Sequence, residues 1–472
     1  MDDLDLVVVG GGIGGYTAAI RAAESGWRVA VVERDRLGGT CLHRGCIPSK
    51  SFLRSAEVYV TAKTAAEYGV MHDAPVFSWT AARDRTRTVV ERLYQGLRFL
   101  MKRHRIAVIS GTGRLLGPSI FSPQAGAVAV EGTDGERSIL TPRFTLLATG
   151  SKPRPLSGMP FDHERVLSSD DLLTLDELPR SVLIVGAGAT GVEWASVFSD
   201  LGTAVTLVEA QANILPEEDP DIAREMVRLL KKRGVRVLTN ASVLTETLRV
   251  LPDGLEVDVT GPEDTTRVRA EYALVAVGRD ACVDDLGLSA AGVRVGPHGI
   301  EVDEHYCTSQ SNVYAVGDVV GRLQLAHVAA HEAVHAVQAM TGQPLRPFDY
   351  MMVPRPTYAR PQVASVGLTE PAARLAGRNV KIGKVSFRAL GKAWVEGEVD
   401  GFAKMVVDAD SEDVLGVHII GPRATDLVAE GGLALLLNAA PSEVAAMAHP
   451  HPTLAEVLGE AAWAIEGRAI HS

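Results

Sequence analysis

One device is written twice in this chain, and it limits the possible folds more than anything else. Leu6-Val7-Val8-Val9 is an apolar, β-branched run of the kind that forms a buried parallel strand. Gly10, Gly12 and Gly15 follow in a G-x-G-x-x-G pattern. An alanine-rich helix then runs to about Ser25, Gly26 stops it, and a strand from Val29 to Val32 ends on Glu33. This is a complete dinucleotide-binding βαβ unit. Its glycines allow a tight turn and let a pyrophosphate approach the helix N-terminus, and its acid can bond a ribose hydroxyl. Val182 to Val185, Gly186, Gly188, Gly191, Val205 to Val208 and Glu209 repeat the pattern. Each glycine lies 176 residues after its counterpart (186 − 10, 188 − 12, 191 − 15), and so does the acid (209 − 33). With both acids present, two working nucleotide sites are favoured over a duplicated scaffold with one dead site.

A length of 472 residues has room for three or four domains. Boundaries fall at 1–150, 151–280, 281–347 and 348–472. Before the second unit, Ile106 to Ser110, Ala127 to Glu131, Arg137 to Leu140 and Phe144 to Leu147 read as strands. Gly132-Thr133-Asp134-Gly135 is a hairpin turn between two of them. A helix carries Val89, Leu93, Leu97 and Leu100 on one expected face. From about Phe348 the character changes. Val363 to Val366, Val385 to Phe387, Lys404 to Val407 and Val417 to Ile420 suggest an antiparallel sheet. Helices are expected at Thr425 to Asn438 and Leu454 to Ile465. The net charge of −11 argues against nucleic acid. No apolar run reaches the ~20 residues of a membrane helix. The acidic start Met1-Asp2-Asp3 is unlike a signal peptide, so a cytoplasmic location is expected.

Cys41 and Cys46 stand five apart, with only Cys282 and Cys307 elsewhere. In an intracellular chain such a pair points to redox or metal chemistry before structural stapling. An unbroken helix would raise one Cα about 7.5 Å above the other, beyond the roughly 7 Å limit of a disulfide. A bridge therefore needs a distorted helix, and Gly45 is where distortion is possible. Two buried reduced cysteines are the plain alternative. Zinc would need two more ligands, and no second close Cys/His pair offers them.

The stretch from Gly38 to Lys50, GGTCLHRGCIPSK, closely resembles the redox-disulfide signature of the flavin-dependent pyridine nucleotide-disulfide oxidoreductases. The resemblance runs over the whole chain. It implies an α/β fold: two Rossmann-like dinucleotide-binding domains plus a C-terminal α+β dimerisation domain, with 281–347 returning to the first domain. It implies a redox disulfide between Cys41 and Cys46, with Cys46 nearer the flavin, and Lys50 paired with Glu193 close to flavin and nicotinamide. His451 and Glu456 match the family's catalytic base and its carboxylate. A histidine is a natural base for a thiol whose unperturbed pKa of about 8.5 leaves it mostly protonated at neutral pH.

A flavin can take a hydride and also react with a thiolate, so it belongs on the unit beside the cysteines. FAD is then expected at Gly10, Gly12, Gly15 and Glu33, and the resemblance adds Gly39, Thr40, Thr149, Gly150 and the pair Gly317-Asp318, which is similar to a flavin motif of the family. NAD is expected at Gly186, Gly188, Gly191, Glu209, Gly278 and Arg279. Glu209 would repel a 2′-phosphate, and Ala210, Gln211 and Ala212 supply no arginine to bind one, which favours NAD over NADP.

The chain is most similar to the members that oxidise dihydrolipoyl groups with NAD. That implies a homodimer whose partners are lipoyl domains and the acyltransferase core of a 2-oxo acid dehydrogenase complex, or a glycine cleavage system. Other NAD-linked disulfide reductases, glutathione-like or acting on coenzyme A disulfide, are the alternatives, as is a non-catalytic flavoprotein subunit. His43, Arg44 and Gln362 depart from residues common in the family. His331-Glu332-Ala333-Val334-His335 matches the zinc-protease pattern H-E-x-x-H, but it follows Gly317-Asp318 on a helix the family packs near its flavin. No metal is expected there.

Overall fold

Four consecutive apolar residues make a strand only where both faces are covered, and Leu6–Val9 is buried along its whole length. The computed structural model describes residues 4–118, 125–345 and 347–471, so the acidic start at Met1-Asp2-Asp3 lies outside the described residues. The chain gathers into two units, one of residues 1–51, 81–154 and 278–348, the other of 52–80, 155–277 and 349–472.

In the first unit, Leu6–Val9 pairs in parallel with Val29–Glu33 on one side and Phe144–Leu147 on the other. Val313–Ala315 extends the sheet at one edge. Ala107–Leu115 extends it at the other and leads into an antiparallel hairpin of Val128–Gly132 and Arg137–Leu140. Ala18, Ala19 and Ala22 of the helix Ile13–Glu24 share a core with Ala333, Ala336 and Val337 of the helix Ala326–Thr341. Small side chains let two helices and a sheet approach closely.

The helix Trp79–Arg103 corrects one expectation. Its inward stripe is Ala82, Thr86, Val90, Leu97 and Met101, whereas Leu93 is 46% exposed. Of the expected stripe 89-93-97-100, Leu97 is in the core and Leu100 packs against it. Over seven turns the 3.6-residue period selects the neighbouring stripe instead.

The second unit contains the repeat. Ser181–Val185 pairs in parallel with Ala204–Val208 and Tyr272–Val275, and Arg236–Leu238 and Val166–Leu167 form the edges. Val8 faces Val31 in the first sheet and Ile184 faces Leu207 in the second, so the register repeats at the spacing seen in the sequence. The helices Ile13–Glu24 and Ala189–Asp200 repeat at that spacing too. A three-stranded antiparallel meander, Ser242–Leu251, Gly254–Thr260 and Thr265–Ala270, follows.

The last sheet is wholly antiparallel, in the order Arg355–Thr357, Gln362–Gly367, Val414–Gly421, Phe402–Asp408, Val380–Ser386. Its edge strand starts five residues before the expected Val385, and Phe387 opens a short 3₁₀ turn instead of ending the strand. Helices Ala424–Leu436 and Glu456–Ala464 share the sheet's core. The Gln362 carbonyl accepts hydrogen bonds from Thr425 N–H (3.1 Å) and Oγ1 (2.7 Å), capping the first of these helices.

One row across this sheet is polar. Arg355, Ser365, His418, Lys404 and Lys384 stand opposite one another in successive strands. The Lys404 ammonium is buried and donates to Asp219 at 2.9 Å and Asp221 at 3.1 Å, with Glu370 at 2.8 Å. Asp219 caps the helix Pro220–Lys232, so the row ties that helix to the sheet.

Candidate active site

Each nucleotide turn is built the same way. Gly10 and Gly186 have φ of +102° and +97°, and a Cβ on either would lie 2.4 or 2.5 Å from the carbonyl oxygen of Ala148 or Ala276. A Cβ on Gly15 or Gly191 would strike the carbonyl of Gly10 or Gly186 at 1.9 or 2.0 Å. Gly12 and Gly188 differ: a Cβ would enter open space, meeting nothing closer than 3.9 Å at Gly12 and nothing within 4 Å at Gly188. The helices that start after them have no side-chain cap and no acid in the first turn. Their leading N–H groups are available to an anion.

The acids are already oriented. Glu33 accepts from Gly11 N–H (2.6 Å) and Asp35 N–H (2.8 Å). Glu209 accepts from Ala187 N–H (2.8 Å) and Gln211 N–H (2.9 Å). Each carboxylate keeps lone pairs for a sugar hydroxyl.

The cysteine segment is seated on the first turn. Gly38 N–H donates to the Gly11 carbonyl at 2.8 Å, and a Cβ on Gly39 would lie 2.7 Å from Gly12 Cα. The short helix Gly39–His43 stops there, and a second begins at Cys46. The break falls at Arg44-Gly45. It brings the Cys41 and Cys46 Cα atoms to 4.6 Å, and the two sulfurs are bonded. Lys50 follows one turn after Cys46 on the second helix. His43 bonds the Leu37 carbonyl through Nε2 at 2.8 Å and sets its ring edge-on to Tyr94, while Arg44 pairs with Asp35. The two departures from the family thus fasten the outside of the redox segment.

Asp318 is held through Ser151, which Arg279 holds in turn. Ser151 Oγ donates to Asp318 at 2.5 Å, and Arg279 donates to Ser151 Oγ at 2.7 Å and to the Ser151 carbonyl at 2.9 Å. Gly278 and Arg279, expected with the second nucleotide, therefore share a unit with Asp318, and Arg279 is linked to it. Thr149 Oγ1 donates to the Cys282 carbonyl at 2.8 Å, and Cys282 N–H donates to Gly150 O at 2.9 Å. Gly317 has φ of +77°, and its N–H donates to Glu332 at 2.6 Å. Glu332, the acid of the H-E-x-x-H stretch, is thus a buried anchor for the Gly317 turn. His331 stacks on Phe348, and His335 packs against His305 and Tyr306. Among the described residues, no group of three or more His, Cys, Asp or Glu side chains could hold a metal ion.

In the second unit, Glu193 lies beyond the first turn of its helix and is buried. Its Oε1 accepts from Tyr358 N–H at 2.9 Å. His451 Nδ1 and Glu456 Oε1 are 2.8 Å apart, and Thr453 N–H donates to the other Glu456 oxygen at 2.8 Å. Burial opposes ionisation of Glu456, but the His451 and Thr453 bonds outweigh it and hold the carboxyl below its usual range. The His451 side chain is 76% exposed in the single chain. His449 is instead buried against Glu430 at 2.9 Å.

Residues 4–333 match the family model for pyridine nucleotide-disulphide oxidoreductases, and residues 353–462 match that family's dimerisation domain. The chain belongs to this family. It is 48% identical to a dihydrolipoyl dehydrogenase of Bacillus subtilis (strain 168), over 99% of both chains. It is 40% identical to the one from Zymomonas mobilis, over 100% of this chain and 99% of the relative. Among solved structures it resembles LpdA from Mycobacterium tuberculosis, with a TM-score of 0.90 at 28% identity over 97% of this chain and 99% of that one. It also resembles the HOCl-induced flavoprotein disulfide reductase RclA of Escherichia coli, with a TM-score of 0.83 at 26% identity over 97% and 98%.

Oxidoreductases of this family use FAD and NAD. The residues present suit two dinucleotides: two uncapped helix N-termini, two open glycine positions and two oriented acids. Among the described residues, no helix is long and apolar enough to cross a membrane. Sequence reasoning missed Ser151 and Glu332, which hold Asp318 and Gly317. Ser151 lies in no spacing pattern, and Glu332 lies in one that points to a metal, so only their hydrogen bonds mark these roles.

Proposed function

We propose that this oxidoreductase is a dihydrolipoyl dehydrogenase: dihydrolipoamide plus NAD⁺ gives lipoamide, NADH and a proton. The observation that carries the reading is the bonded Cys41–Cys46 pair seated on the first glycine turn, in a chain 48% identical end to end to a dihydrolipoyl dehydrogenase.

His451, oriented by Glu456, takes a proton from one substrate thiol. That thiolate attacks Cys41 Sγ, the Cys41–Cys46 bond breaks, and Cys46 leaves as a thiolate. The second substrate thiol then displaces Cys41, which releases the cyclic disulfide and leaves both protein sulfurs reduced. FAD, when bound, supplies the carrier that passes this electron pair to NAD⁺. Gly10, Gly12, Gly15, Glu33, Gly39, Thr40, Thr149, Gly150, Gly317 and Asp318 would hold it, and Gly278 and Arg279 would meet the NAD. Gly186, Gly188, Gly191 and Glu209 would hold NAD. Lys50 and Glu193 would place charge beside the reacting rings. The dimerisation domain supports a homodimer; in this reading it works in the cytoplasm, on lipoyl domains at the acyltransferase core of a 2-oxo acid dehydrogenase complex or in a glycine cleavage system.

Turnover of dihydrolipoamide with NAD⁺ tests this reading. The intact enzyme should reduce NAD⁺, and Cys41→Ser should lose on the order of 10³-fold or more in kcat. No turnover with dihydrolipoamide, alongside NADH-driven reduction of glutathione or coenzyme A disulfide, would overturn it.

A further inference from the structure

Three polar side chains stand on one face of the helix Ala189–Asp200: Glu193, Ser196 and Asp200. Their spacing of three and four residues aligns them, and all three are buried. The segment Tyr358-Ala359-Arg360, just past the strand Arg355–Thr357, lies along this face and meets each in turn. Tyr358 N–H donates to Glu193 at 2.9 Å, and Arg360 N–H donates to Ser196 Oγ at 2.9 Å. The Arg360 guanidinium grips both Asp200 oxygens, at 2.9 Å from Nε and 2.5 Å from Nη2. The first two bonds come from the backbone. The third is a forked, charge-assisted bond, the strongest kind of the three.

We infer that Arg360 is a positioning residue for the nicotinamide side of the reaction. It clips the segment to the helix, and the segment holds the Glu193 carboxylate in place. The inference rests on the reading of Glu193 as a group beside the nicotinamide. Removing the guanidinium should not strand the Asp200 charge, because Arg233 also donates to Asp200 at 2.9 Å and to Ser196 at 3.2 Å. Arg360→Met should therefore fold.

Amide hydrogen exchange on the purified protein gives the first readout. In Arg360→Met the Tyr358 amide should lose protection while the core of the helix Ala189–Asp200 keeps its own. Half-reactions give the second. Reduction by dihydrolipoamide should stay within about twofold of wild type, whereas reoxidation by NAD⁺ should slow about tenfold. Arg360→Lys, which keeps charge but loses the fork, should fall between. On a Glu193→Gln background Arg360→Met should cost almost nothing more, since both act through one carboxylate. Unchanged Tyr358 protection overturns the inference. So does equal slowing of both half-reactions, no slowing of either, or full additivity with Glu193→Gln. Absence of dihydrolipoamide–NAD⁺ turnover in wild type would instead strike the proposed function, and the exchange result would still judge the clip.

Discussion

At the scale of single residues, the two acids ending the second strand of each βαβ unit do the same local work and differ in consequence. Glu209 is fixed by two backbone N–H groups, so it cannot swing away from an added 2′-phosphate. A strong preference for NAD over NADP follows. Glu209→Ser should narrow the ratio of kcat/KM values about tenfold or more by removing that repulsion. Steady-state comparison of both cofactors checks it, and equal efficiencies in wild type would refute it. These acids were legible in the sequence because a strand, a glycine turn and a spacing pointed at them. Ser151, Glu332 and Arg360 were not legible, because a hydrogen bond between residues far apart in the chain leaves no period behind. Glu193 was half legible: the family resemblance picked it out, while its burial and its bond to Tyr358 needed coordinates.

At the scale of elements, apolar runs announced central parallel strands such as Leu6–Val9, Phe144–Leu147 and Ser181–Val185 to within a residue or two, since burial on both faces dictates composition; the short edge strands Val166–Leu167 and Arg236–Leu238 carried no such run. The helix Trp79–Arg103 shows the limit: amphipathic spacing fixes the element, but only its packing partners decide which of two neighbouring stripes turns inward. The polar row in the last sheet had no sequence signal either, since its members come from five strands. It carries a pH dependence. Burial pushes the His418 imidazole down to about 4, against the opposing pull of its bond to the Leu368 carbonyl. Unfolded, the ring binds a proton near pH 6.5; folded, it does not until about 4, so acid favours unfolding across that window. The loss should be on the order of 3 kcal/mol. Asp221, which burial would raise but Lys384 and Lys404 together hold at about 2, adds a second loss as pH falls from its ordinary 3.8 to about 2. Glu218, raised by burial, acts in the opposite sense above its ordinary value. Denaturant midpoints between pH 7 and 3 measure the sum. In His418→Gln the slope between 6.5 and 4 should flatten, and parallel curves for variant and wild type would remove His418 from the account.

At the scale of the whole molecule, the proposed chemistry needs a disulfide near residue 41 and a base at 451, and the dimerisation domain suggests that two chains meet to supply them. Two-fold symmetry makes such sharing reciprocal. Cys41→Ser and His451→Gln chains, mixed after dissociation, should recover about a quarter of wild-type activity, because half the dimers are mixed and each has one intact site. Confirmed heterodimers without activity would show that each site is closed within one chain.

The repeated turn also gives the molecule an internal control of a kind few enzymes have. Gly15→Ala and Gly191→Ala place a methyl group 1.9 and 2.0 Å from an equivalent carbonyl oxygen, so both should damage the backbone alike, cofactor or none. Gly12→Ala and Gly188→Ala place it where the protein offers no clash. Any penalty there belongs to the visitor. The first should purify folded but short of FAD. The second should keep its FAD and show a raised KM for NAD⁺. One chain thus poses the same question twice and changes only which dinucleotide answers.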